Sequence, residues 1–428
     1  MMFLVMMQVL CVLVLPLVVK GDGTAVGDLQ ILLTYTLGFS FGIQSLATLW
    51  CSCSLFASEV SSSRIQLSAV KPVRFTTFWL GKWLAMLVLN AALLIIVYAI
   101  VYAQVRWVEH SADWPAGVVP GSSHVVHPIL STPEQEAQQM YLRRKAEGRL
   151  PKDLSKNAIL AALREQARER YDIINPGDEV KLNFRLVRPV RSGEMITTRL
   201  NFDTEFSTRR QVNVSCRLIR QDHPELFVER TLKGVTQNEI NLDFAVNDFL
   251  IRGEDAEPPR EFELSFIYSS EGSKASAVLL RLRQDAVLLI PGGSFETNLI
   301  RAALVQGCVL AVLAAFGLFL SAVFSFPVAA FAATVVLALI MIGRGILPLI
   351  SKEDEKQWKN RVGVIVLRSV QYTTKHSSEI SPLRSVARGE RIDDRKLLIA
   401  VLWNMGLLPL CLGLFAGTVL RRRELADV

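Results

Sequence analysis

The sequence predicts an α-helical polytopic membrane protein with six transmembrane helices and one inserted soluble domain, mostly β and sandwich-like. Hydrophobic residues make up 51% of the 428 residues and charged residues 20%. The mean hydropathy is positive, at +0.33. Charged residues are missing from several long runs and concentrated in the middle of the chain, where apolar and polar residues alternate. Together these observations indicate apolar helices on either side of a solvated insertion.

Five uncharged runs can supply the membrane helices; they cover residues 1–19, 29–58, 83–105, 302–343 and 397–420. A bilayer core of ~30 Å needs about 20 apolar residues in a helix that rises ~1.5 Å per residue. The run 302–343 is long enough for two helices, and Pro327 within it interrupts helical hydrogen bonding. We expect helices over about 300–323 and 328–350, which brings the total to six.

The run at the N-terminus could form either a signal peptide or a first membrane helix. A signal peptide has a basic start and small residues before its cleavage site, and neither feature precedes Lys20. We therefore expect a retained first helix.

Between the third and fourth helices lies a segment, 106–297, that is long enough to bury a core of its own. Its first part predicts charged surface helices over 133–147 and 155–172. Thr132 is a suitable N-cap for the first of them, with Pro133 at the first helical position and Gln135 three residues after the cap.

The remainder of 106–297 predicts an antiparallel β-sandwich. Apolar residues there alternate with polar ones, a period of two that is typical of half-buried strands. Three such sets are Leu182, Phe184 and Leu186; Val212, Val214, Cys216 and Leu218; and Phe262, Leu264, Phe266 and Tyr268. Cys216 is the single cysteine of 106–297, so this domain is expected to hold a buried thiol and no internal disulfide.

The charge distribution argues against nucleic-acid binding. The net charge of the chain is +7, yet segment 106–297 contains 26 basic and 28 acidic residues. The basic excess therefore belongs to the membrane part, as expected for a protein that faces anionic lipid surfaces.

The segment between the second and third helices, 57–82, is polar and basic, with Glu59 as its single acid. An amphipathic helix there would lie at the membrane interface, where a partner protein can grip it, and Pro72 would end it. Lys82 would anchor the next helix at the lipid headgroups.

This segment resembles the permease subunits of type 2 ATP-binding cassette (ABC) exporters, in the branch with a large extracytoplasmic insertion. The family has an acidic residue, a helix with a basic residue, the pattern Pro-Val/Ile-Ser-Arg, and Gly-Lys at the start of a span. These roles are filled by Glu59, Arg64, Pro72, Arg74, Gly81 and Lys82, with Arg74 directly after Val73. The ending Arg421-Arg422-Arg423-Glu424 and the segment Ser381-Pro382-Leu383 are also similar to the family.

The resemblance implies how the chain is arranged and what it binds. Residues 1–105 would form three spans with a cytoplasmic coupling loop, 57–82, on which a separate ABC ATPase docks through Glu59, Arg64, Lys71, Pro72, Arg74, Gly81 and Lys82. Residues 106–297 would be extracytoplasmic. Residues 298–428 would form three more spans, an amphipathic loop, 351–395, and a basic cytoplasmic tail. The permease would work as a homodimer or with a second permease, in the plasma (inner) membrane.

Since the family usually begins with a basic cytoplasmic segment, we expect translation to start upstream of Met1 or the chain to be truncated.

The sequence predicts no enzymatic activity, no cofactor and no metal. It lacks the Gly-x-x-x-x-Gly-Lys-Ser/Thr phosphate-binding loop, so ATP hydrolysis is expected in a partner chain. His124 and His127 have no acid or cysteine close by to complete a metal site. Arg344 either faces a polar pathway inside the fifth span or marks the end of that span.

The alternative hypothesis is an extracytoplasmic binding or sensory protein that is anchored in the membrane and does not transport. Six spans are more than an anchor needs, and this favours transport.

Overall fold

The computed structural model describes residues 2–19, 25–61, 75–110, 121–130, 132–147, 156–168, 172–175, 177–191, 193–201, 212–235, 239–246, 260–270, 278–280, 285–346 and 382–426. The chain divides into two compact units. Met1–Ser122 and Gly293–Val428 together form a helical unit, and Ser123–Gly292 forms a mostly β unit.

The helical unit consists mainly of long apolar helices. They are α1 (Met2–Val18), α2 (Ala25–Ser61), α3 (Phe75–His110), α6 (Phe295–Val323), α7 (Phe326–Ile346), the short α8 (Pro382–Ala387), α9 (Asp394–Val401) and α10 (Leu408–Ala426). A π-helical segment, Leu402–Leu407, joins α9 to α10. The last helix therefore continues through the arginines that the sequence predicted as a tail after the span.

Four helical stretches in the described part of the chain are long and apolar enough to cross a membrane: Gly27–Leu55, Thr76–His110, Phe295–Val323 and Asp394–Val419. Two further apolar stretches, Met6–Leu15 and Phe326–Ala338, are shorter. The helical membrane part is thus confirmed, whereas the number six for the spans stays a prediction.

The predicted interruption near Pro327 is confirmed. Helix α6 ends at Val323 and α7 begins at Phe326, so Phe324 and Ser325 form the break. Pro327 occupies the first turn of α7, where its missing N–H removes no helical hydrogen bond.

The second unit contains two four-stranded sheets. One has the order β1 (Ser122–Val126), β10 (Ala286–Gly293), β4 (Met195–Asn201), β7 (Glu239–Ala245); the other has the order β3 (Glu179–Arg185), β8 (Glu261–Ser270), β5 (Val212–Arg220), β6 (Phe227–Val235). The pairings of β10 with β4, β4 with β7, β3 with β8, and β5 with β6 and β8 are antiparallel. Strands β2 (Asp172–Ile174) and β9 (Val278–Leu280) form a separate pair.

Both four-stranded sheets contribute to one core, which makes the unit a sandwich. Phe184, Phe262 and Phe266 from one sheet and Ile196 and Phe244 from the other are fully buried in the same cluster. The predicted alternation is confirmed, because every second residue of β3, β5 and β8 points into this core. Cys216 is among the fully buried residues, as expected.

The two predicted surface helices of this unit are confirmed as α4 (Pro133–Ala146) and α5 (Lys156–Arg168). The Thr132 side chain accepts a hydrogen bond from the Gln135 backbone N–H, and the Gln135 side chain accepts one from the Thr132 N–H. This capping box satisfies two backbone donors at the start of α4.

Candidate functional site

Polar residues recur at every fourth position of α2. They are Thr36, Ser40, Gln44, Thr48 and Ser52, and each is at least 97% buried. We call these five residues the α2 stripe. Because a helix rises ~1.5 Å per residue, the stripe extends over about 24 Å, most of the ~30 Å thickness of a bilayer core. If α2 crosses a membrane, these polar groups lie at the depth where lipid offers no hydrogen-bond partner.

Neighbouring helices contact the α2 stripe at successive levels. Gln8 of α1 donates from Nε2 to the Gln44 Oε1 at 3.4 Å. Gln44 in turn donates from its own Nε2 to the backbone oxygen of Asn90 on α3 at 3.0 Å. Thr48 Oγ1 donates to Asn90 Oδ1 at 2.7 Å. We call Gln8, Gln44, Thr48 and Asn90 the polar centre; it joins α1, α2 and α3 through hydrogen bonds.

At Ser52 the stripe meets α6. A Cβ atom placed on Gly317 of α6 would lie 2.6 Å from the Ser52 Cβ and 3.0 Å from the Leu49 carbonyl oxygen. Only glycine allows such a close approach of two helix backbones, a contact that is common between membrane helices.

Several buried polar atoms near the polar centre have no hydrogen-bond partner among the described residues. They are the hydroxyls of Thr36, Ser40 and Ser45 on α2 and the Nδ2 of Asn90 on α3. Leaving such groups unpaired in an apolar environment costs about 1–3 kcal/mol each.

An apolar groove of about 690 Å³ lies between α3 and α6. Leu87 and Val88 line one end, and Tyr102 and Glu296 line the other; Asn90 and the small residues Ala91, Ala303 and Gly307 are among those between them. Met405 also lines the groove, from the π-helical segment that interrupts the last helix. Such π-helical turns are frequent at functional sites.

Charged side chains surround the end of the groove at Tyr102. Arg106 of α3 forms ion pairs with Glu109 on its own helix and with Glu296 at the start of α6. All three side chains are between one third and two fifths exposed, and the Arg106 guanidinium lies 5.4 Å from the centre of the Tyr102 ring. One cation with two carboxylates gives this end of the groove a net negative charge.

The start of the last helix is fixed against α6 by polar contacts. Asn298 donates to the Glu390 carbonyl oxygen at 2.9 Å and accepts from the Ile392 backbone N–H at 3.0 Å. Arg301 of α6 pairs with Asp394 at 2.8 Å. These contacts hold Asp394, the first residue of α9, beside α6.

Of the residues predicted to dock a partner, Gly81 and Lys82 are described with their surroundings. Gly81 is exposed in α3, and a Cβ added there would meet nothing within 4 Å. The Lys82 ammonium donates to the Leu55 carbonyl oxygen of α2 at 3.1 Å and lies 4.8 Å from the centre of the Phe78 ring. Lys82 therefore links the two helices that flank the loop.

The other predicted docking residues, and the possible pathway residue Arg344, are described in part or not at all. Glu59 lies in the last turn of α2, and Arg344 lies near the end of α7, but neither side chain is among those described. Arg64, Lys71, Pro72 and Arg74 lie outside the described residues, as does most of 351–395. Within the described part of the chain, no three His, Cys, Asp or Glu residues are grouped to hold a metal.

Sequence reasoning missed the polar centre, although signals for it were present. The α2 stripe repeats every four residues, which places its members along one gradually turning face of a helix. Asn90 and Gln104 are amides in an otherwise apolar and uncharged run. Neither signal is specific, because the polar centre contains no charged residue and neutral polar side chains are common where membrane helices pack.

Comparisons of the chain with family models, with curated proteins and with solved structures find no match.

Proposed function

We propose that the chain is the permease subunit of an ATP-driven ABC exporter, located in the plasma membrane. It forms the membrane pathway and couples to a separate ATPase subunit. A second copy, or a second permease, completes the pathway. The observation that carries this proposal is the buried α2 stripe, which reaches across most of the membrane thickness.

Packing alone explains the paired members of the stripe, because Thr, Ser and Gln side chains commonly join membrane helices, but it does not explain the hydroxyls of Thr36 and Ser40, which are unpaired among the described residues. Membrane helices pack well through apolar and small side chains, and an unpaired hydroxyl or amide in the interior destabilises the packed state. Four unpaired groups beside the polar centre are consistent with a second arrangement of α1, α2 and α3 in which those groups find partners. Alternation between two arrangements is what a permease requires.

The connection between the loop and the polar centre supports coupling to an ATPase. The predicted docking loop, 57–82, connects α2 to α3, and these two helices meet at Thr48 and Asn90. Lys82 links them again near the loop, through the Leu55 carbonyl. Closure of an ATPase against the loop would therefore displace both helices together and transmit the displacement to the polar centre.

Affinity isolation of the full chain from its native membrane tests the proposal. We expect mass spectrometry to identify a co-purifying protein that has a phosphate-binding loop and lacks membrane spans. The isolated complex should hydrolyse ATP, whereas the chain alone should not. Recovery of the chain without any such ATPase would favour the anchored binding or sensory protein instead.

A further inference from the structure

The groove between α3 and α6 is long enough for the hydrocarbon chain of one lipid leaflet. Its α3 residues run from Leu87 to Tyr102, 15 helical steps, or about 22 Å at ~1.5 Å per residue. One leaflet occupies half of the ~30 Å bilayer core, about 15 Å. A hydrocarbon chain that enters at Tyr102 would therefore fit within the groove.

The walls of the groove suit a hydrocarbon chain. The groove is open where its lining residues are small, at Ala91, Ala99, Ala303 and Gly307. The exposed side chains of Ile95 and Leu304 form part of its wall. A Cβ added at Gly307 would lie 3.7 Å from the Leu94 side chain and 3.8 Å from the Met405 side chain. Both side chains therefore lie close to the backbone of Gly307, which forms part of the groove wall. An alkyl chain would make dispersion contacts along the full length of these walls.

The charged end of the groove matches a headgroup that carries one negative and one positive charge. Arg106 offers a guanidinium, which binds phosphate oxygens well. Glu109 and Glu296 flank it on two sides and offer carboxylates to an ammonium group. Because the carboxylates outnumber the guanidinium, a purely anionic headgroup is disfavoured there.

We propose that this groove is a binding site for a zwitterionic glycerophospholipid with a primary ammonium group, a phosphatidylethanolamine. One acyl chain lies in the groove between α3 and α6. The phosphate is held by Arg106, and the ammonium is held by Glu296 and Glu109. This site goes beyond the proposed export function: it requires that the chain span a membrane but does not depend on an ATPase.

Selective labelling of the full chain in lipid nanodiscs tests this site. The nanodiscs contain phosphatidylcholine with equal small amounts of photoactivatable phosphatidylethanolamine and phosphatidylglycerol that carry distinguishable tags. After illumination, mass spectrometry locates each lipid adduct on the chain. We expect adducts on α3 and α6 peptides to contain about five times more phosphatidylethanolamine, a preference of ~1 kcal/mol.

Two neighbouring alanines provide a matched pair of variants. Ala91 and Ala92 are both exposed on α3, but Ala91 lines the groove and Ala92 does not. Ala91→Trp should fill the groove and reduce the selective labelling about fivefold, ~1 kcal/mol. Ala92→Trp should leave it unchanged, which controls for the effect of a large side chain on insertion.

A third variant tests the headgroup contact. Glu296→Gln removes one carboxylate and should reduce the preference for phosphatidylethanolamine over phosphatidylglycerol while adducts remain on α3 and α6. Equal labelling by the two lipids in the unchanged protein would overturn the proposal, as would equal losses in Ala91→Trp and Ala92→Trp. Crosslinks between two copies of the chain through α3 and α6, without lipid adducts there, would assign the groove to a subunit interface and also overturn it.

Discussion

Thr48 Oγ1 donates a hydrogen bond of 2.7 Å to Asn90 Oδ1, and this bond joins α2 to α3 inside the helical unit. Asn90 is 3% exposed, and its second amide atom, Nδ2, has no partner among the described residues. The hydrogen bond therefore holds the Oδ1 of Asn90, whereas its Nδ2 is available to donate to a partner in a different arrangement of the helices.

We expect Asn90→Leu to destabilise the helical unit more than Thr48→Val does. Thr48→Val removes one interhelical hydrogen bond, worth about 0.6 kcal/mol in a membrane protein. Asn90→Leu removes the Oδ1 that accepts from the Thr48 hydroxyl at 2.7 Å and from the Gln44 Nε2 at 3.4 Å. The loss of this shared acceptor should cost about 1–3 kcal/mol. Thermal unfolding of the detergent-purified chain measures both. Thr418→Val is the control, because Thr418 is exposed and bonds only within its own helix in the described contacts. Equal midpoints for all three variants would show that the polar centre does not hold α2 against α3.

Cys216 should be unreactive in the folded protein. Burial in the sandwich core raises the pKa of the Cys216 thiol to about 12. A free thiol has a pKa of about 8.5, so the unfolded chain loses this proton first as the pH rises. The contribution of Cys216 to stability is complete below about pH 8 and is lost as the pH rises towards 12.

Alkylation with iodoacetamide at pH 8, followed by peptide mapping, should leave Cys216 unmodified until denaturant is added. Cys216→Ala should cost about 1 kcal/mol and flatten the alkaline limb of the stability profile. Rapid alkylation of the native protein would contradict the buried position.

Glu194 should contribute to the stability of the β unit at neutral pH. Burial favours the neutral carboxyl, but two hydrogen bonds from Arg188, both at 3.0 Å, and one from the Arg191 backbone N–H outweigh it and lower the pKa of Glu194. Stability from this group is present above the ordinary glutamate pKa of about 4.3 and is lost as the pH falls through the lowered value. Glu194→Gln should lower the unfolding midpoint at pH 7 and reduce its fall in acid. Glu225→Gln should change both by less, because Glu225 is 59% exposed and its contact with His223 is screened by solvent.

The orientation of the chain can be tested with single cysteines in a background without native ones. Arg143 is 83% exposed on α4, and Ser62 lies in the predicted docking loop. A reagent that does not cross membranes should label Arg143→Cys in intact cells, and it should label Ser62→Cys only after the membrane is permeabilised. The reverse pattern would place the loop outside the cell and remove the basis for ATPase docking.

Local patterns in the sequence predicted much of the fold. Alternating residues such as Phe262, Leu264 and Phe266 identified β8, because a strand with one buried face requires that period. Pro327 located the break between α6 and α7, and Thr132 located the start of α4. Each of these features depends on residues close together in the chain.

The polar centre and the groove could not be predicted in the same way. Gln8, Thr48 and Asn90 are brought together by the packing of three helices, and the sequence alone does not give that packing. Lys82 illustrates the same limit: its place at the start of a span is visible in the sequence, but only the packing of α2 against α3 gives its ammonium the Leu55 carbonyl oxygen as an acceptor. Contacts between distant residues decide these roles.

The measurement that tests the central claim most directly is recovery of an ATPase with variants of the loop 57–82. Glu59 is the single acid of this basic loop, so Glu59→Lys would reverse its pairing with a cation of the partner, while Glu59→Gln keeps the size and some hydrogen bonding. Loss of a charged contact at an interface costs about 2–5 kcal/mol, and every ~1.4 kcal/mol is tenfold in affinity. We predict that Glu59→Lys inserts at the normal level yet recovers less than about a tenth of the ATPase, with Glu59→Gln intermediate. Unchanged recovery with Glu59→Lys and with Arg64→Glu, at equal expression, would contradict the account.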